Sequence, residues 1–525
     1  MRPMSETLRR KVLTADEAVA LIPSGATLAT GGFIGAGVPE SLLSALERRF
    51  LATENPRNLT LVYAAGQGDA KTRGINHLAY EGLVKRAIGG HWGLAPRMGQ
   101  LAIDGKIEAY NFPQGVICQL YRDIAAGRPG CITHVGLDTF IDPLKEGGRL
   151  NDRSREALVE RVELGGQTWL WYKSFPITVG FIRATCADPL GNLGSQEEVL
   201  LGEVLAIAQA VHNHRGLLIA QVQRLVDRPL PPQGVRVPGI LVDKIVVAEP
   251  AEHEQTFGGP FDTAYFTAAD STDAVHDLAS RLGPPLPLDE RRIIASRACD
   301  ELVPGYICNL GIGMPEGLAR IAAERRLLDR VTLTVESGPI GGIPASGLSF
   351  GASIHPQAIV DQPAHFDFYD GRGLDFAALG AAQIDGRGNV NVSRFGTRLA
   401  GVGGFVNITQ NARKLVFCGT LTAGGLEIAI ENGRLRIVRE GSVRKFLASV
   451  EQESFNAGRA RSLGQEVLYV TERAVFRLGD EGIELIEAAP GIDIERDILQ
   501  QMDFHPVVRE IRPMPASAFH AGSAS

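Results

Sequence analysis

The sequence predicts an α/β protein built from two similar open α/β domains, an internal repeat fused in one chain. Three observations carry this reading. Short apolar runs end in glycine loops and are followed by helix-like stretches, the alternation expected of a mostly parallel sheet. Gly35-Ala36-Gly37-Val38-Pro39-Glu40 and Gly311-Ile312-Gly313-Met314-Pro315-Glu316 both read GxGxPE. Further on, Asp188-Pro189-Leu190-Gly191-Asn192 and Asp385-Gly386-Arg387-Gly388-Asn389 both read DxxGN, so motif order repeats along with element order.

At 525 residues the chain is too long for a single hydrophobic core. Hydrophobic residues make up 44% and charged residues 22%, an ordinary globular balance. The net charge of -7 is spread out, which argues against a nucleic-acid partner. The 61 glycines fall in short GG and GxG loops, so glycine serves as loop chemistry here. The six cysteines include no CxxC pair, and neither a disulfide framework nor a metal site is signalled. The N-terminal MRPMSETLRRKVLT has no apolar core of a leader, and no apolar run approaches the roughly 18 residues of a membrane span. The expectation is a soluble, cytoplasmic protein with no membrane partner.

In chain order, Thr14 is placed to cap a helix, with Glu17 three residues later as a capping box requires. A strand then runs into the loop GGFIGAGVPE, followed by the helix SLLSALERRF. Leu59 to Tyr63 reads as a strand ending at Ala64-Ala65-Gly66, and another glycine loop follows at Gly89-Gly90. The second copy opens near residue 290, with a helix over Ile293 to Leu302 and a strand over Ile307 to Leu310. The join is expected in Gly283-Pro284-Pro285-Leu286-Pro287, which excludes regular structure. The resulting domains are 1–285 and 288–525. From the strand-end glycine to the DxxGN motif the first half takes 122 residues and the second 47, so the first carries a large insertion.

The halves differ where chemistry is expected. Val331, Leu333 and Val335 alternate with threonines as in a strand, and Ser337-Gly338-Pro339 with Gly341-Gly342 is turn chemistry. Glu336 therefore stands at a strand's C-terminal end, the edge where open α/β sheets bind ligands. Ala64 holds the matching place in the first half, and Gly401-Val402-Gly403-Gly404 falls opposite Glu203-Val204-Leu205-Ala206. One chemically equipped copy implies one site, between the halves.

The succession GGFIGAGVPE, NLGIGMPE, VESGPIGG, FDFYDGRGLD and GVGGFVNITQNARKLVFCGTLTAGGLE, ending in VTERAVFRL and IEAAPGIDIERDIL, resembles the class I coenzyme A transferases over nearly the whole chain. More narrowly, it resembles their single-chain acetate or propionate type, which acts on short-chain acyl-CoAs. The resemblance implies that Glu336 is the catalytic nucleophile, forming a glutamyl-CoA thioester, and that Gly401 to Gly404 is the loop approaching it. It implies coenzyme A as substrate and covalent intermediate, with no permanently bound cofactor. The partners it implies are acyl-CoA and short-chain carboxylic acids, with homo-oligomers, dimer or tetramer, as the assembly. The succinyl-CoA:3-oxoacid branch reads SENG where this chain reads VESGPIGG, which favours simple short-chain acids. An acyl-CoA hydrolase on the same scaffold and a non-catalytic ligand-binding regulatory module are the alternatives.

Within this reading Gly403 and Gly404 are the expected oxyanion donors, with Gly35 to Gly37 as a second lining. Phe366, Phe368 and Tyr369 are candidates for the acyl pocket, although such an aromatic run also suits a core. His355 and His365 lie near the nucleophile in sequence, yet attack and departure by anions need no general base. Trp169 and Trp171 are expected to pack within the insertion. Arg413-Lys414 reads either as a CoA-phosphate contact or as the solvated start of a strand.

Overall fold

A computed structural model describes residues 6–269 and 281–520. Met1 to Ser5 of the N-terminal stretch, and the part of the first domain at 270–280, lie outside the described residues. Thr14 caps the helix Ala15–Val19 with the reciprocal pair its sequence calls for: the Glu17 N–H donates to Thr14 Oγ1 at 3.2 Å, and the Thr14 N–H to the Glu17 carboxylate at 2.9 Å.

Among the described residues each half is organised on one large sheet. In the first, strands run in the order Val12–Leu13, Lys244–Val247, Leu217–Leu225, Val179–Ala187, Thr27–Thr30, Leu59–Tyr63, Val84–Gly89 and Glu108–Asn111, every neighbouring pair parallel. All nine residues of Val179–Ala187 are buried, as a parallel strand covered on both faces should be. In the second sheet the parallel centre runs Thr332–Thr334, Ile307–Leu310, Phe376–Gly380, Lys414–Cys418 and Glu466–Val470. That centre repeats the order Leu59–Tyr63, Thr27–Thr30, Val179–Ala187, Leu217–Leu225, Lys244–Val247 of the first. Even the register matches, since Leu28 pairs with Leu61 and Val179 where Cys308 pairs with Leu333 and Phe376.

The insertion explains how the halves differ in shape. It adds the strands Val84–Gly89 and Glu108–Asn111 to the sheet edge and the helix Gln114–Ala125 beyond them. It also carries a separate antiparallel sheet of Gly130–Thr133, Gln167–Lys173 and Val159–Leu164, in which Trp169 and Trp171 sit as expected. In the second half the same edge is closed by Pro339–Ile340 and Ala358–Ile359, both antiparallel.

The halves meet through the helix Gln114–Ala125, which packs against Gln362–Asp370 and Phe405–Asn411 in a single apolar core. Gly115 makes this approach possible: a Cβ there would lie 2.4 Å from the Phe366 ring. The Arg122 guanidinium donates to both oxygens of Asp367 at 2.8 Å, and the Gly115 N–H to Asn407 Oδ1 at 3.1 Å. All six cysteines are free and buried. No helix among the described residues is long and apolar enough to cross a membrane. Residues 283–287 carry no helix or strand.

Candidate active site

The strand Thr332–Thr334 stops just before Glu336, and a tight turn takes over. The Gly338 N–H donates to the Val335 carbonyl at 2.9 Å, leaving Glu336 and Ser337 at the turn's centre. Gly338 has φ +129° and passes so close to Val360 that a Cβ would meet its carbonyl at 2.1 Å. Ser337 Oγ donates to the Gly351 carbonyl at 2.6 Å, and beneath the strand the Tyr369 hydroxyl bonds Thr334 Oγ1 at 2.7 Å. The nucleophile candidate thus stands on a turn fixed from both sides.

Its carboxylate enters a cavity of about 420 Å³ between the halves. Phe33, Ile34 and Leu94 from the first half face Phe350, Val392 and Phe405 from the second across it. Glu336 as a residue is half-buried, open to the cavity, but its carboxyl group is hemmed in by protein. It has no hydrogen-bond or ion-pair partner among the described residues, and burial alone pushes its pKa up to about 7.

Gly401, Val402, Gly403 and Gly404 all line this cavity with Glu336. A Cβ on Gly404 would lie 3.0 Å from the Glu336 Cδ and 3.1 Å from Oε1, so a side chain there would displace the carboxylate by a few tenths of an ångström. The two expected donors differ: the Gly403 N–H is already given to the Gly90 carbonyl at 2.8 Å, whereas the Gly404 N–H has no partner among the described residues. The loop is held by the insertion. Asn111 donates to the Gly89 and Gly90 carbonyls at 2.8 and 2.6 Å and accepts from the Val402 N–H at 3.1 Å.

Gly35 and Gly37 are not brought into this cavity. Gly35 is pressed against Phe257 and Gly37 against Leu200, and it is their neighbours Phe33 and Ile34 that form the wall. Nor do Phe366, Phe368 and Tyr369 line it. Phe366 and Tyr369 are fully buried between the halves, and Phe368 is on the exposed face of the same helix at 39% exposure. A helix that packs at the interface turns its aromatics into the core, so the acyl-pocket expectation moves to Phe33, Ile34 and Phe350. His355 is tied to the Thr267 carbonyl at 3.1 Å, and His365 is buried with its pKa lowered to about 4 by desolvation. Neither lines the cavity. Arg413 and Lys414 start a strand at the opposite sheet edge, paired with Asp375 and with Glu301 and Glu466, which removes them from any CoA contact at this site.

Two polar residues in the cavity wall come from the insertion and were not singled out by the sequence. Gln114 opens its helix and has a buried Nε2 with no hydrogen-bond partner among the described residues. His91 has a buried, unpartnered Nδ1 and a pKa lowered to about 4, first by burial and then by the charge of Arg398. Both follow strand ends, in Gly89-Gly90-His91 and Pro113-Gln114-Gly115, the same signal that exposed Glu336.

Comparison with known proteins identifies the family. Residues 12–248 match the family model for coenzyme A transferase. The chain is 44% identical to acetate CoA-transferase YdiF of Escherichia coli K12 over 506 residues, 95% of this chain and 93% of that one. It is 43% identical to caffeate CoA-transferase of Acetobacterium woodii over 516 residues, 97% of each. Its fold superposes on the crystal structure of the acyl-CoA transferase YdiF of E. coli O157:H7 in thioester complex with CoA. The TM-score is 0.92 at 41% identity, covering 100% of this chain and 98% of that one. A single-chain sequence match of this extent, joined to a duplicated parallel-sheet fold, places the chain in the coenzyme A transferase family, and it is an enzyme of that kind.

Proposed function

We propose that the enzyme moves CoA between a short-chain acyl-CoA of the acetyl, propionyl or butyryl type and a free short-chain carboxylate, through a glutamyl-CoA thioester on Glu336. The observation that carries this reading is the Glu336 carboxylate itself: unpaired, desolvated and held against Gly404 in an apolar cavity. Water and ion pairs blunt a carboxylate, and this one has no ion-pair partner among the described residues and is partly desolvated.

One Glu336 oxygen attacks the acyl-CoA carbonyl. The C–S bond breaks, CoA leaves as thiolate, and an acyl-glutamyl anhydride remains. The thiolate then attacks the glutamyl carbonyl, the anhydride C–O bond breaks, the free acid departs as its carboxylate, and CoA stays bound to Glu336 as a thioester. An incoming carboxylate reverses both steps, and no proton needs to move. Each tetrahedral intermediate concentrates charge on one oxygen, for which the Gly404 N–H and Gln114 Nε2 are the unspent donors. The neutral His91 adds a polar edge without a charge that would pair with Glu336. The apolar walls restrict water, against which the anhydride and thioester must be protected.

Similarity to an acetate CoA-transferase supports a small acid, while nearly equal similarity to a caffeate CoA-transferase makes acyl size the property to measure. Initial rates with acetyl-CoA and a second short-chain acid are expected to give parallel double-reciprocal lines. Labelled acetate is expected to exchange into acetyl-CoA with no other substrate present. Intersecting lines without exchange refute the covalent route, and steady release of CoA without an acceptor acid indicates a hydrolase.

A further inference from the structure

The second half holds an ammonium group that makes no ion pair among the described residues. Lys445 lies between the short strands Val443–Arg444 and Phe446–Leu447. The second of these pairs with Gln383–Asp385, which continues directly from Ala381 and Ala382 in the wall of the Glu336 cavity. The Ile384 N–H donates to the Lys445 carbonyl at 2.8 Å, which fixes the lysine backbone to that wall. The side chain then crosses the C-terminal end of the parallel strands. A Cβ on Gly419, the residue after Lys414–Cys418, would lie 2.5 Å from Lys445 Nζ and 3.4 Å from the Ala381 carbonyl oxygen. Glycine at 419 leaves the space the ammonium occupies.

Among the described residues Nζ donates no hydrogen bond and forms no ion pair. The basic residues nearby in sequence and space are paired: Arg444 with Asp503 at 2.6 Å, and Arg473 with Glu440 at 2.7 Å and with Glu472. Glu472, whose field Lys445 feels, is already bonded to Arg473 and to the Leu421 N–H. The lysine is half-buried, and burial draws its pKa down to about 8. An unpaired cation drawn partly out of water costs stability. Its position is the sheet edge at which α/β folds gather ligands.

We infer that Lys445 is an anion-binding residue of the CoA-transfer site, receiving an oxygen of a CoA phosphate or of the free acid's carboxylate. The inference rests on the reading of Glu336 as the thioester-forming nucleophile. It adds a substrate contact that the mechanism above does not use.

The test uses the full chain with Lys445→Gln and Lys445→Arg, measuring KM for acetyl-CoA, for acetyl-pantetheine, which lacks the phosphates, and for acetate. Lys445→Gln is expected to raise one KM about tenfold, the worth of one charge-assisted hydrogen bond, with kcat changed far less. Lys445→Arg is expected to restore it. A rise for acetyl-CoA but not acetyl-pantetheine identifies a phosphate, and a rise for acetate with either thioester identifies the carboxylate. Unchanged KM values for acetyl-CoA and acetate in a Gln variant of normal melting temperature overturn the inference. Independently of any variant, reductive methylation of Lys445 in the wild-type chain, read by peptide mass, is expected to slow in saturating CoA or acetate. No protection by either also overturns it. Failure of the wild-type chain to take up CoA at Glu336 would instead refute the nucleophile reading.

Discussion

Gly404 lies directly against Glu336: a methyl group on its Cα would come within 3.0 Å of the carboxyl carbon and press on it. Its backbone, at φ -80° and ψ -4°, is one that alanine adopts without strain. Gly404→Ala should therefore leave the fold intact and act only on the carboxylate. We expect kcat to fall by about a hundredfold or more, the scale of losing one preorganised contact in a transition state, with the melting temperature moved by only about 1–2 °C. Steady-state kinetics beside a thermal melt separates the two effects.

Glu336→Gln removes the proposed nucleophile and also a desolvated charge. The carboxyl pKa is raised from the ordinary range to about 7 in the folded chain, so the folded state binds the proton more tightly than the unfolded one. The ionised carboxylate therefore weakens folding, fully so above about pH 7 and not at all below the ordinary carboxylate pKa near 4.3. The Gln variant is expected to be inactive and to melt higher than wild type at pH 8. The difference should disappear toward pH 4, as melts across that range would record.

The same shift sets the pH profile of catalysis. Only the ionised carboxylate attacks, so kcat/KM for acyl-CoA should climb with an inflection near the Glu336 pKa of about 7. His91, lowered to about 4, stays neutral throughout and cannot supply that inflection. The profile of a His91→Asn variant should keep the wild-type midpoint. A midpoint that vanishes in this variant would transfer the titration to the histidine.

Gln114→Ala deletes an unpartnered donor in the cavity wall. Loss of about 10² in kcat with little change in KM for acetyl-CoA is expected if Nε2 serves the tetrahedral intermediates. A raised KM with kcat unchanged would make it a ground-state contact. Asn111→Ala, by contrast, strips buried partners from Gly89, Gly90 and Val402 and should cost about 2–4 kcal/mol in denaturant unfolding.

What could be read from the sequence followed from local patterning. The capping box at Thr14, the strand Leu59–Tyr63 and the matched glycine loops are each written within a few residues, and the repeat they imply appears in the structure as one five-strand order formed twice. Glu336 and Gly401 to Gly404 stood out because the other half lacks them. Gln114, His91 and Asn111 did not, because they reach the cavity only when the insertion packs on the second half. The aromatic run at Phe366, Phe368 and Tyr369 suits either an acyl pocket or a core, and the helix that carries it turns Phe366 and Tyr369 into the interface core. Gly35 and Gly37 show the same limit, since close approach to Phe257 and Leu200 requires glycine as surely as a ligand does.

The proposed reaction passes through a covalent bond between CoA and one side chain, and peptide-mapped intact mass spectrometry of the enzyme mixed with acetyl-CoA tests that bond most directly. We predict one CoA per chain, on the peptide containing Glu336, removed by acetate and absent from Glu336→Gln. Full turnover with no CoA adduct, or an adduct that survives in Glu336→Gln, would contradict the account.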